Sequence, residues 1–301
     1  MKAHWVALSL IPGVGGTTAR KLVERLGTIE AVFEVDTADL TSVPRITPDI
    51  AQRIRQTSLE NVEAEIMSWE DEGITVLTPG DEDYPPLLRA VSDAPVVLFV
   101  QGHVRSSDAR AVAIVGARQP SERGQRISQQ LAEGLAARGW TIVSGLAAGV
   151  DTSAHRGALA ASGRTLAVLG SGLRVIHPRE NAELAQEIVK RGALLSELHP
   201  ATPPRGQQLM ARDRIISGLA RAVIVIEGGE KSGSLDTAAK ARKQSRPVLA
   251  VPGSPGTDQL IASGARRIDA EPLDIAAVSD LIDQPSPPSA TPELPRQASL
   301  L

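Results

Sequence analysis

At 301 residues, with a formal net charge of -3 and no cysteine, the chain excludes disulfides, thiolate metal sites and generic polybasic binding. No apolar stretch approaches the about 18 residues of a membrane span. Met1-Lys2-Ala3-His4-Trp5 lacks the charged start and long apolar core of a signal peptide, so a soluble cytoplasmic protein of one large or two smaller domains is expected.

Residues 1–60 carry an internal repeat at an offset of 32 residues, which aligns Ile11-Pro12-Gly13-Val14-Gly15 with Val43-Pro44-Arg45-Ile46-Thr47. The first copy resembles a helix-hairpin-helix, or SAM-like, element, with a small helical packing module as the other reading. In a helix-hairpin-helix a Gly-rich turn brings backbone amides close to a DNA phosphate. The second copy has Arg45 and Thr47 at the glycine positions and reads as a helical packing module. It lies in an acidic segment, Glu30 to Asp83, with 14 acidic and 3 basic residues.

Residues 61–109 read as a joining region that extends the domain to follow. Asn61–Glu72 is expected to be a helix, and Ile74–Leu77 and Val96–Val100 strands. From 110 to 275 short β-branched runs alternate with Ala-rich helical stretches. The strand candidates are Val112–Val115, Thr141–Val143, Leu166–Leu169, Ala193–Ser196, Val223–Ile226 and Val248–Val251. This pattern gives an α/β fold, a doubly wound Rossmann-like parallel sheet beside the small N-terminal helical domain. Ligands of such sheets bind beyond the carboxyl ends of the strands. The tail, 284–301, holds five prolines and is expected to be disordered.

Three junctions in this region pass from a strand through small residues to a helix. They are Gly116-Ala117-Arg118, Ser144-Gly145-Leu146-Ala147-Ala148-Gly149 and Ser232-Gly233-Ser234. Such turns bare N–H groups at helix N-termini, where phosphate binds. Arg118, Arg212 and Arg214 add guanidiniums able to hold phosphate through paired hydrogen bonds. Arg205 to Arg246 holds 9 basic and 4 acidic residues, which near these loops reads as a nucleic-acid track. The dinucleotide G-x-G-x-x-G and the Walker A spacing are both missing, so neither a nicotinamide cofactor nor P-loop hydrolysis is expected. Asp151 and His155 share a helix face at i, i+4. The preferred reading is a helix N-terminal Asp and a buried His rather than an acid–base pair. The other histidines lack metal-ligand spacing, and no catalytic residue, metal or cofactor is assigned. Aromatic residues make up only 2% of the chain, so nucleic-acid affinity should be phosphate-directed and salt-sensitive.

Residues 75–270 resemble the DNA-processing protein A (Smf) family. The resemblance rests on Ala113–Arg118, Ser144–His155, Thr165–Leu173, His177–Asn181, Ser196-Glu197, Arg212–Leu219, Ser232–Leu235, Ala250–Gly253 and Gly264-Ala265. It implies a non-enzymatic protein that binds single-stranded DNA at the Rossmann edge. It further implies protection of incoming DNA during natural transformation, loading of the RecA recombinase, and a homodimer joined through the Rossmann domains. Carried over by motif, the DNA site comprises Gly116, Arg118, Ser144, Gly145, Arg212, Arg214, Ser232 and Gly233, with Arg179 extending the track. The chain departs from the family at Ala117 (usually Ser), Asp213 (usually Asn), Leu209-Met210 (usually aromatic-Pro), Arg174 (usually Asp) and His177 (usually Tyr). A Pro-rich tail also stands where many members carry a winged helix. The alternative is an enzyme similar to the nucleoside-monophosphate phosphoribohydrolases, motivated by the same phosphate-binding edge and by Glu227-Gly228-Gly229 after a strand. Its P-G-G-x-G-T run is only approximated by Pro252–Thr257.

Overall fold

The computed structural model describes residues 1–284; beyond Gln284 the tail, with the disorder expected of it, lies outside the described residues. Five helices open the chain: α1 (Lys2–Leu10), α2 (Gly16–Leu26), α3 (Ala31–Glu34), α4 (Thr37–Thr41) and α5 (Pro48–Gln56). The repeat is visible in the backbone. Gly13 and Arg45, at equivalent positions, both adopt left-handed geometry, φ +92° and +75°. The turn therefore persists in the second copy without the residue that makes it easy. Thr47 accepts a hydrogen bond from Ile50 N–H and caps α5, whereas Gly15 leaves the start of α2 without a side-chain cap.

The joining region supplies α6 (Leu59–Asp71), capped by Ser58, then β1 (Ile74–Leu77), α7 (Pro86–Arg89) and β2 (Leu98–Gly102). The strand β2 starts two residues later than the apolar run suggests. Val96 is instead buried among side chains of the N-terminal hairpins. The alternating region follows as β3 (Ala111–Val115), α8 (Glu122–Ala137), β4 (Thr141–Ser144), α9 (Val150–Ala160), β5 (Thr165–Val168), α10 (Ala182–Arg191) and β6 (Ala193–Ser196). It continues as α11 (Gly206–Ala211), α12 (Asp213–Leu219), β7 (Val223–Val225), α13 (Gly233–Lys243), β8 (Val248–Ala250), α14 (Pro255–Ala262), β9 (Arg266–Arg267) and α15 (Ile275–Asp283).

These strands form one described sheet in the order β1-β2-β6-β5-β4-β3-β7-β8-β9. From β6 to β9 all pairings are parallel, while β1 and β2 add antiparallel at the β6 edge. The parallel strands read as continuous apolar runs because both faces are covered, and every residue of β3 is buried. Along β3, Ala113 and Val115 join the core under α7, α12 and α13. Val112 and Ile114 join the opposite core under α8, α9 and α15. Trp140 fixes α15 through an Nε1–H bond of 3.0 Å to Ser279 Oγ. The chain winds outward from β3 to β6, then returns to place β7 on the other flank of β3. The reversal opens a crevice at the carboxyl ends of β3 and β7, as expected of this topology.

Candidate nucleic-acid interface

The loop after β4 does not expose its amides as its sequence suggests. Asp151, in the first turn of α9, turns its carboxylate back under the loop. Oδ2 accepts from Gly145 N–H at 3.1 Å and from Ala147 N–H at 3.3 Å. Val150 N–H goes to Ala117 O at 3.1 Å, which latches the β3–α8 loop to the start of α9. Gly149 permits that approach, since a Cβ there would lie 2.4 Å from Ala117 O, and its φ is +83°. Leu146 buries its side chain while holding φ +58°. Buried Asn181 donates to Leu146 O and Thr152 Oγ1 at 2.9 Å. The loop thus spends its Gly145, Ala147 and Val150 N–H groups on internal hydrogen bonds. Burial raises the Asp151 pKa, against the pull of the Arg212 charge and the loop amides. His155 is fully buried, with Nδ1 2.7 Å from Thr165 Oγ1. Burial, then the Arg212 charge, pushes its pKa down to about 3, so the ring is neutral. Neither His155 nor Asp151 hydrogen-bonds the other, in keeping with the preferred reading.

Most of the basic segment is occupied by structural contacts. Arg212 is only 6% exposed; its Nη1 donates to Gly145 O at 2.6 Å and to Val168 O, clamping the ends of β4 and β5. Gly145 must be glycine, because a Cβ there would lie 2.0 Å from Arg212 Nη1. Arg214 makes a two-pronged ion pair with Glu197, one bond at 2.9 Å, and does not line the cleft described below. Arg221 reaches Asp283 and Ala109 O, Lys240 reaches Asp236 and Met210 O, and Arg242 and Arg246 bond backbone carbonyls. Ser144 Oγ is buried and donates to Ile114 O at 2.6 Å. The reading of 205–246 as a nucleic-acid track is therefore corrected for Arg212, Arg214, Arg221, Lys240, Arg242 and Arg246, which hold carboxylates or backbone carbonyls, while Arg205, Lys231 and Lys243 are exposed.

What remains open is a cleft of about 450 Å³ over the β3–β7 crevice. It is lined by Gly116 and the exposed Arg118 from the β3–α8 loop and by Ser232 and Gly233 from the start of α13. Its wall carries Val115, Ala117, Leu209, Met210 and Ile216, with Arg212 and Asp213 among them. At α13 the N-cap residue Ser232 makes no side-chain cap and pairs its hydroxyl with Ser234 Oγ at 2.8 Å. Leu235 N–H turns back to Ser232 O at 3.1 Å, which leaves the N–H groups of Gly233 and Ser234 at the start of α13 without an intrahelical acceptor, and with the helix dipole they favour an anion. Arg118 is exposed at the mouth with no hydrogen-bond or ion-pair partner among the described residues. It also borders a smaller recess of about 170 Å³, lined by Gly145, Ala147, His177 and Pro178. Arg179, exposed, follows on a 3-10 turn whose last residue is the Asn181 that grips the β4–α9 loop. Of the nine residues assigned from sequence, Gly116, Arg118, Ser232 and Gly233 line one cleft. Gly145 and Arg179 lie on or beside the neighbouring recess. Arg212 shows one edge to both spaces, while Ser144 and Arg214 face neither.

Glu227, after β7, does not line the cleft. Its carboxylate accepts from Ser121 N–H and from Ser121 Oγ at 2.8 Å, tying β7 to the start of α8. A nucleotide hydrolase that used Glu227 as its carboxylate would have to break this bridge. Sequence reasoning missed both the bridge and the apolar wall, since neither has a local signal.

A family model described as DNA recombination-mediator protein A matches residues 75–278, and one for a SAM-like helix-hairpin-helix tandem matches residues 7–57. Protein Smf of Synechocystis sp. is 35% identical over 296 residues, which is 94% of this chain and 74% of that protein. The crystal structure of DNA processing protein A from Streptococcus pneumoniae superposes with a TM-score of 0.77 at 31% identity, covering 89% of this chain and 95% of that one. A structure of DNA processing protein A from Helicobacter pylori, described for its single-stranded DNA binding mode, gives a TM-score of 0.62 at 31% identity, covering 69% and 95%. With a model that spans most of the α/β domain and relatives that align along nearly the whole chain, this protein belongs to the DNA recombination-mediator protein A family.

Proposed function

We propose that the chain binds single-stranded DNA along the carboxyl edge of its sheet. Phosphates lie against Arg118 and the start of α13, and the strand continues past His177 to Arg179. The observation that carries this reading is Arg118, a free guanidinium between two recesses, while Arg212 and Arg214 close by are paired. Similarity to a relative described for its single-stranded DNA binding mode supports it. In the reading that family membership favours, the protein works in the cytoplasm as a homodimer. It shields DNA entering by natural transformation and passes it to the RecA recombinase for recombination, without catalysis of its own. No helix of the described residues is long and apolar enough to cross a membrane.

The deciding experiment is a salt titration of binding to oligo-dT and to a matched duplex, with wild type and Arg118→Glu. Preference for the single strand is expected, with a slope near -0.7 in log K per phosphate neutralised. Arg118→Glu should abolish binding, and unchanged affinity would remove the proposed site. The RecA step is tested separately, by whether the protein speeds RecA filament formation on a single strand.

A further inference from the structure

The cleft holds a group that phosphate binding does not explain. Asp213, the first residue of α12, is only 7% exposed yet lines the cleft. Arg212 Nε lies 3.1 Å from its Oδ1 as an ion pair, and among the described residues no other N–H or O–H donates to the carboxylate, which leaves Oδ2 available to a group in the cleft. Buried carboxylates ordinarily accept several such bonds. Burial pushes its pKa up to about 6. The Arg212 and Lys240 charges act against that rise, and those of Asp151 and Asp236 add to it. An anion inside this cleft would meet a carboxylate, whereas a neutral hydrogen-bond donor would satisfy it. The walls beside it are apolar: Val115, Ala117, Leu209, Met210 and Ile216. They suit a flat, uncharged ring, while the cationic groups, Arg118 and the start of α13, sit at the rim where a phosphate can stay hydrated.

We propose that the cleft receives a nucleobase of the bound strand, edge-on to Asp213, and selects bases that carry an exocyclic amino group. The proposal rests on the single-strand reading above. Cytosine and adenine present an amino donor, N4 and N6, on the edge where thymine presents the carbonyl O4. The ionised carboxylate, held against the position-4 or position-6 substituent, accepts from the amino group, whereas at that position thymine sets the O4 acceptor against it. Phosphates fix the strand at the rim, and Asp213 reads the inserted base.

The test is equilibrium binding of oligo-dC, oligo-dT and an abasic strand, each about 12 nucleotides long. It is run at about pH 7.5 with the full chain, wild type and Asp213→Asn. The expected result is that wild type prefers oligo-dC to oligo-dT about fivefold and holds the abasic strand least well. Asp213→Asn should remove the dC preference, because a carboxamide presents both a donor and an acceptor. Equal binding of dC and dT by wild type overturns the inference, and this result needs no variant to fold. A preference that survives Asp213→Asn also overturns it. Failure to bind any of the three strands overturns the single-strand reading itself, and this inference with it.

Discussion

Asp213 couples the protein to pH in two ways. Its folded-state pKa, about 6, lies above the 3.8 of a free aspartate side chain, so the folded chain holds this proton more tightly than the unfolded chain. Stability from this group is therefore fullest below about pH 4 and is lost as pH rises towards about 6. Between pH 4 and pH 7, wild type should lose about 2–3 kcal/mol relative to Asp213→Asn. Urea unfolding of both proteins at the two pH values measures this, and parallel curves would refute it. His155 acts in the opposite sense: its pKa is depressed to about 3, so its contribution is lost as pH falls below about 6.5. The comparison of wild type with variant isolates Asp213 from it. The second effect is on binding. Neutralising Asp213 removes a repulsive charge from the cleft, so oligo-dT should bind wild type more tightly at about pH 5.5 than at about pH 7.5, and Asp213→Asn should show much less of this gain. Two glycines make a further contrast. Gly145→Ala forces the Arg212 guanidinium off two strand-end carbonyls and should cost about 3 kcal/mol or more in stability. Gly233→Ala meets nothing within 4 Å and should stay within about 0.5 kcal/mol of wild type by the same unfolding assay.

At the scale of elements, the strand–loop–helix junctions were legible in sequence because short β-branched runs ending in small residues have few other uses. The strand candidates of the parallel sheet all became strands within a residue or so. The two-residue β9 was not legible, since Arg266-Arg267 carries no apolar signal. Nor was the fate of the loop amides. Only the fold shows that the Asp151 carboxylate reaches back to Gly145 and Ala147 and leaves the α13 end as the open one. The carbonyls that Arg212 clamps and the partners of Arg214 and Arg221 are likewise distant in sequence, so a charge count could not separate structural from free cations. Glu227 is a further case. As the bond that holds β7 to the start of α8, its replacement by Ala should cost about 1–2 kcal/mol. Thermal unfolding of Glu227→Ala checks this, and a melting temperature equal to wild type would show that the bridge contributes nothing.

For the whole molecule, the N-terminal helices are not an independent appendage. Ala3, Val6 and Ala7 of α1 pack with Val62, Ile66 and Trp69 of α6, while Leu8 joins the core of the helical hairpins. One helix therefore serves two cores, across the boundary near residue 60 that the sequence suggests. The full chain should unfold in a single thermal transition. A chain starting at Leu59 should be destabilised by at least about 3 kcal/mol through the apolar surface it uncovers. Two transitions, the later one unmoved by the truncation, would argue against this coupling. The sheet's outer strands also bear on self-association. At one border β1 is four residues long, and at the other β9 is two residues long, both arginine. Such short or charged borders are poor templates for another chain's backbone. Copies brought close together, as the proposed binding to one strand would bring them, are therefore not expected to join sheet to sheet into fibrils.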